Sequence, residues 1–182
     1  MKFTFKDYRL LNVDETRAVL EIRNSQAVWN ASITSEPIAL KDHQKWIKSL
    51  RPNSYFALIL DSKIVGGISI NEQFWGIFFD ENTLPIIRLI FVYLFLNKLL
   101  SQVKIIKSKI KKSNLQALRF NEFFGFEICI DDGGLLYFNL SQDRFLSLES
   151  RAIKRVKILL KMLNLSLFHS FFKAISKVNF IN

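Results

Sequence analysis

With 182 residues the chain is about one domain long, enough to bury a proper core and carry a modest appendage. Its single cysteine, Cys129, excludes an internal disulfide framework and any multi-cysteine metal site, so no metal centre is expected, and its strand-like surroundings mark it as a buried inert thiol. A net charge of +10 favours anionic partners, whether nucleotide phosphates, nucleic acid or acidic headgroups, while 49% apolar residues and 18 phenylalanines exceed what a small interior needs and predict contact with a partner or a lipid surface.

Met1 to Lys6 alternates charged and apolar residues where an export signal would carry a continuous apolar run, so the protein is expected to stay in the cytoplasm. Apolar periodicity predicts a strand over Tyr8 to Val13 and a helix opening at Asp14, with Thr16 to Ile22 in helical spacing. A second helix starts at Leu40, presents Leu40, His43, Trp46, Ile47 and Leu50 on one face, and must stop at Pro52. Tyr55 to Leu60, a turn at Asp61 and Ser62, and Ile64 to Ile70 read as a hairpin, and Phe74 to Phe79 completes a meander.

The order then alternates: helix Leu84 to Leu100, strand Val103 to Ile110, helix Asn114 to Phe124, and short strands Glu127 to Ile130 and Leu135 to Leu140. Leu84 to Leu100 is the strongest transmembrane candidate, yet it falls about a turn short of a span and carries Pro85, Arg88, Asn97 and Lys98, so it reads as a buried amphipathic helix. Three antiparallel strands followed by a β-α-β-α-β half predict an α/β fold with a mixed central sheet and helices on both faces. Residues 1–142 form this domain; from Asp143 one long helical register places Ile153, Val156, Leu160, Leu163, Leu167, Phe171, Ala174 and Val178 on a wide apolar stripe. Residues 143–182 are therefore expected to be a basic amphipathic extension, packing on the domain, on a second copy in a homodimer, or on the inner membrane surface.

The segment NLQALRFNEFFGF, Asn114 to Phe126, resembles the GNAT acetyltransferase signature of an Asn, an Ala three residues on, a Phe-Tyr pair and a terminal Gly-Phe. Here the pair is Phe120 and Asn121, so Asn121 stands at the position of the tyrosine that protonates the departing thiolate in many members. LEIRNSQAVWN (Leu20 to Asn30) and LKDHQKWI (Leu40 to Ile47) look like the substrate-side helices of the pseudaminic-acid-pathway aminosugar N-acetyltransferases, and YFALI, VGGISI and WGIFF extend the likeness over residues 8 to 140. The resemblance implies a GNAT acyl-CoA N-acyltransferase fold, acetyl-CoA as cofactor, and the amino group of a nucleotide-linked aminosugar of surface glycan biosynthesis as acceptor. It also implies cofactor contacts at Ile77, Phe79, Thr83, Leu84, Arg88 and Asn114. One departure is the loop Asp80 to Pro85, which lacks the glycines that cradle pyrophosphate in the family; with Asn121 it supports the alternative of a repurposed GNAT domain serving as an interaction module.

Acetyl transfer to an amine needs a neutral nucleophile, a polarised thioester carbonyl and an exit for the thiolate. His43, with an ordinary pKa near ~6.5, suits either a base at that site or a packing histidine. Arg23 and Asn24 suit a diphosphate or a sugar carbonyl, and equally an ordinary helix end. Glu72 is the carboxylate that GNAT topology would place as a base through water, or a solvated turn residue; Asn71 beside it is grouped with the acceptor. Trp29 offers a flat face to a base or sugar, or belongs to the core. Lys104, Lys107, Lys109, Lys111 and Lys112 read as the solvated face of a strand, and without interleaved aromatics they do not point to nucleic acid.

Overall fold

Seven strands, β1 (Phe3–Asp7), β2 (Tyr55–Leu60), β3 (Lys63–Asn71), β4 (Phe74–Phe79), β5 (Ile105–Lys111), β6 (Glu127–Asp131) and β7 (Leu135–Ser141), form one sheet in the order β1-β2-β3-β4-β5-β7-β6 among the residues that the computed structural model describes, 1–32 and 36–162. Every neighbouring pair is antiparallel except β4 and β5, which run parallel. The helices are α1 (Val13–Arg23), α2 (Gln26–Ala31), α3 (Leu40–Ser49), α4 (Pro85–Leu100), α5 (Leu115–Phe123), α6 (Gln142–Leu146) and α7 (Arg151–Met162).

Alternation along the strands sorts these helices onto two faces. Phe3, Phe5, Phe56, Leu58, Ile68, Ile70 and Trp75 join a large buried cluster with α4, α5, α6 and α7. Tyr8, Ala57, Ile59 and Ile64 form a smaller one with Val19 of α1 and Ile47 of α3. The predicted strand Tyr8 to Val13 is not formed. β1 lies earlier because Phe3 and Phe5 are its inward residues, with rings 5.0 and 5.4 Å from Phe91 of α4. Asp7 then ends it: its carboxylate accepts from the Arg9 amide at 2.9 Å and the Asn53 amide at 2.7 Å, turning Tyr8–Leu10 into a 3-10 turn. α1 begins after Asn12, not at Asp14: the Asn12 side chain accepts from the Glu15 amide while the Glu15 carboxylate accepts from the Asn12 amide, each at 2.8 Å.

Three further expectations change. The helix expected from Leu84 to Leu100 is buried on nearly all sides, with nine buried residues including Ile90, Phe91, Leu96 and Leu99, so its apolar run is that of a central helix and not an amphipathic one. Among the described residues no helix is long and apolar enough to cross a membrane. Cys129 is exposed because β6 is the edge strand and its register shifts between Ile128 and Ile130. The continuous register from Asp143 is interrupted at Ser147 to Ser150, between α6 and α7; Phe145, Ile153, Val156 and Leu160 are nevertheless buried in the large cluster, so the described part of the extension packs on the domain. Leu163, Leu167, Phe171, Ala174 and Val178 of the expected stripe lie outside the described residues. Periodicity does not mark α2, a helix of six residues capped by Ser25 and too short to show a helical period, although the family likeness over Leu20 to Asn30 treats that stretch as helical.

Candidate functional site: an open seam between two parallel strands

β4 and β5 are neighbours at one register position only, Phe74 with Lys107, where the Lys107 amide donates to the Gln73 carbonyl at 2.8 Å. Beyond it each strand is held by its outer partner: β4 by β3 as far as Phe79, and β5 by β7 as far as Lys111. Two glycines draw β4 towards β3. A Cβ on Gly66 would overlap the Phe78 carbonyl and come within 3.0 Å of the Phe79 Cα, and a Cβ on Gly67 would overlap the Tyr8 hydroxyl and lie 2.6 Å from the Phe78 ring. Backbone groups alternate along a strand, so the N–H and C=O of Ile77 and Phe79 point to the same side as the Gln73 carbonyl, into the seam. The seam is thus a slot edged by strand backbone that has no sheet partner among the described residues.

The loop from Asp80 to Leu84 follows β4 at the open end of this slot. Thr83 is buried and donates its hydroxyl to the Val65 carbonyl at 3.3 Å, tying the loop to β3. Arg88 reaches back from α4: its Nε donates to the Thr83 carbonyl at 2.8 Å, and one terminal nitrogen donates to the Asp80 and Glu81 carbonyls at 3.2 and 2.8 Å. The guanidinium therefore folds the loop around its own carbonyls. Leu84 is exposed and supplies no side-chain cap, Pro85 opens the helix without an N–H, and the Leu84 carbonyl accepts from the Ile87 and Arg88 amides at 3.0 and 3.2 Å, so the α4 N-terminus offers its dipole more than free amides.

On the face covered by α1 and α3, four rings gather over β2 and β3, with the Tyr8 hydroxyl against Gly67. Tyr8 lies 6.2 Å from both His43 and Trp46 and 5.9 Å from Tyr55; His43 stacks on Trp46 at 5.3 Å and Trp46 meets Tyr55 edge-on at 4.8 Å. His43 is 2% exposed, and neither ring nitrogen has a partner among the described residues. Burial, then the positive charge of Arg23, holds its pKa below the usual histidine value, so the imidazole is neutral. Arg23 is itself lowered by burial, partly offset by Tyr8. Register sets this cluster in line with Gly76 and two strands from it, since Tyr55 pairs with Ser69 and Ser69 with Gly76. Gly76 has no side chain to fill the position, and a Cβ there would meet only Ser69 Oγ, at 3.1 Å.

The other expected site residues are placed as follows. Asn24 clamps Ile38, donating to its carbonyl at 2.9 Å and accepting from its amide at 3.0 Å, so its amide is committed to a loop closure. Asn114 caps α5 by accepting from the Ala117 amide at 3.0 Å and ties that helix to α2 by donating to the Ala31 carbonyl at 3.1 Å. Trp29 is half-buried in α2, with its indole N–H enclosed and unpartnered among the described residues. Asn71 and Glu72 are exposed at the β3–β4 turn, at the closed end of the seam; Glu72 lies on the turn with φ 49°, beyond the strand. Asn121 is 3% exposed and donates its amide to Ser108 Oγ at 2.7 Å, one residue past the last β4–β5 bond. Tyr8, Trp46 and Tyr55 complete the His43 cluster although sequence reasoning did not assign them to a site; the one available signal was the His43–Trp46 spacing of three.

No protein-family model and no curated protein sequence matches the chain. Solved structures do. The Campylobacter jejuni N-acetyltransferase PseH in complex with acetyl coenzyme A is similar over 77% of this chain and 99% of that chain, with TM-score 0.59 and 21% identity. Apo FdhC, a nucleotide-linked sugar GNAT, is similar over 88% and 93%, with TM-score 0.65 and 15% identity. A GNAT-family acetyltransferase from Bacillus anthracis is similar over 79% and 96%, with TM-score 0.60 and 15% identity. The chain has the GNAT fold.

Proposed function

We propose, from that fold and the open seam, that the chain is a cytoplasmic acetyl-CoA-dependent N-acetyltransferase whose acceptor is the amino group of a nucleotide-linked amino-deoxysugar in surface glycan biosynthesis. The observation that carries the reading is the ladder that stops after Phe74 and Lys107, because unpaired strand edges are rare inside a sheet and a linear amide-bearing chain can complete them. The solved neighbours support it: PseH is an N-acetyltransferase with acetyl coenzyme A bound, and FdhC is a nucleotide-linked sugar GNAT.

Acetyl-CoA supplies the acyl group as a thioester. Ile77 and Phe79 offer donors and acceptors to the amides of its pantetheine arm, and the loop at Thr83 and Leu84, braced by Arg88, presents the α4 N-terminus to phosphate. The amine approaches over Gly76 from the α1–α3 face, with Arg23, Trp29 and Asn71 around it. Neutral His43, with no partner for either nitrogen among the described residues, is available to hold the proton that leaves the amine; Glu72 is the alternative acceptor through water. Asn121 and Ser108 stand beside the vertex, where the thiolate departs. Calorimetric titration with acetyl-CoA tests the cofactor, and no heat at millimolar ligand sinks the enzymatic reading. Incubation with acetyl-CoA and a UDP-linked aminosugar, read by mass, tests the acceptor: acetylated protein amines with unmodified sugar would move the activity to another class.

A second reading has its own observation. The Arg88 guanidinium and the Asn121 amide are turned onto the protein itself, as in a domain shaped for contact and not chemistry. In that case residues 143–182 would carry the function at an anionic membrane surface or in a homodimer. Flotation with anionic liposomes decides it, and a chain that stays in the soluble fraction with and without that extension removes the membrane role.

A further inference from the structure

The half of the sheet beyond the seam has one face that no described helix covers. Register pairs Ile105 with Ser141, Lys107 with Asn139, Lys109 with Tyr137 and Lys111 with Leu135, and these residues are half-buried or exposed. On the reverse, Ile106, Ser108 and Ile110 with Leu140, Phe138 and Leu136 are buried. The open face starts at the vertex of the seam, since Phe74 is the β4 partner of Lys107.

Two lysines on it are organised. Lys107 Nζ lies 6.0 Å from the centre of the Phe74 ring and Lys109 Nζ 5.4 Å from that of Tyr137. Among the described residues neither has a carboxylate within ion-pair distance, while the acids of the adjacent edge strand are occupied: Glu127 with Arg144 at 3.4 Å and Asp131 with Lys112 at 2.6 Å. A solvated lysine face normally exchanges partners freely; here ring contacts hold both ammonium groups over the sheet, and the acids that would neutralise them are engaged elsewhere. Two residues along a strand span about 6.6 Å, so the pair can bracket two linked phosphates, and Tyr137 and Phe74 offer flat surfaces beside them.

We propose that this face binds the nucleoside diphosphate part of the acceptor, with its phosphates between Lys107 and Lys109 and its base over Tyr137. The assignment rests on the acceptor proposed above, and it explains how one strand serves two ligands: the β5 backbone edge borders the slot while its outward side chains hold the anion.

The test is calorimetry with UDP and, separately, with acetyl-CoA, on the full chain at low ionic strength. UDP is expected to bind the wild type with an affinity that falls as salt is added. The Lys107→Ala/Lys109→Ala variant is expected to weaken UDP by about tenfold or more, as the loss of charge-assisted contacts would, with acetyl-CoA affinity unchanged and UDP binding retained in the Lys107→Arg/Lys109→Arg variant. Absence of UDP binding by the wild type, or equal affinity in the alanine variant, overturns the proposal. Loss of acetyl-CoA binding without loss of UDP would assign the lysines to the cofactor and overturn it equally. If UDP behaves as expected but the wild type does not bind acetyl-CoA, the anion face stands and the transferase reading falls.

Discussion

The amide of Lys107 donates to the carbonyl of Gln73, and no rung of the β4–β5 ladder follows. Everything proposed about a slot depends on that single bond marking a vertex. Proline scanning of β4 reads it directly. Ile77→Pro removes an N–H that points into the seam and is expected to leave the chain folded while weakening acetyl-CoA about tenfold, the effect of one hydrogen bond. Phe78→Pro removes a donor from the β3 ladder and is expected to cost about 1–3 kcal/mol by leaving the Gly67 carbonyl unpaired. Circular dichroism with urea titration separates the two; equal destabilisation would mean that Ile77 is also paired.

Arg88 is expected to act on the loop before it acts on any phosphate. Arg88→Met removes three bonds to backbone carbonyls and is predicted to lower ligand-free stability by about 1–3 kcal/mol. Arg88→Lys should not rescue it, because an ammonium lacks the planar fork that spans these acceptors. Unchanged urea stability with lost acetyl-CoA affinity would instead make Arg88 a direct ligand contact.

His43 predicts an acid-sensitive fold. Its native pKa lies below the ordinary value of 6.5, with burial as the main cause. Well above that value the residue is neutral in both states and contributes no pH dependence. As pH falls through it, the unfolded chain binds the proton first, and stability drops by up to about 1.4 kcal/mol per pH unit until the native pKa is reached. His43→Phe should flatten that part of the melting-temperature profile; an unchanged slope would exclude His43 as its source.

Asn121 and Ser108 form a buried pair, so a double-mutant cycle should find them coupled. Asn121→Ala and Ser108→Ala are each expected to cost about 1–3 kcal/mol, and the double variant to cost less than their sum by about 0.5–3 kcal/mol. Additive effects would mean that the contact contributes nothing.

Much of the fold was legible because its signals are local. The β2–β3–β4 meander follows from alternation and from turns at Asp61 and Ser62 and at Glu72 and Gln73, where positive φ values close the hairpins. The Asn114 cap and the Gly125 turn, with φ 84°, bound α5 where the motif placed it. The misread elements depend on partners far away in sequence. β1 is a strand because of Phe91, and Tyr8 leaves the strand because Asp7 holds Asn53.

From the chain alone came the element order, since periodicity and turn chemistry are properties of neighbours along the backbone, and, through the resemblance of short motifs to a known family, the expected acyltransferase fold and the nomination of Arg23, His43 and Asn121. Only tertiary structure could decide that β4 and β5 part after one bond, that Arg88 faces its own loop, and that Tyr8, His43, Trp46 and Tyr55 meet. Those outcomes depend on which strands compete for a shared edge and on which polar groups find partners in the interior, and neither is written in any short stretch of residues.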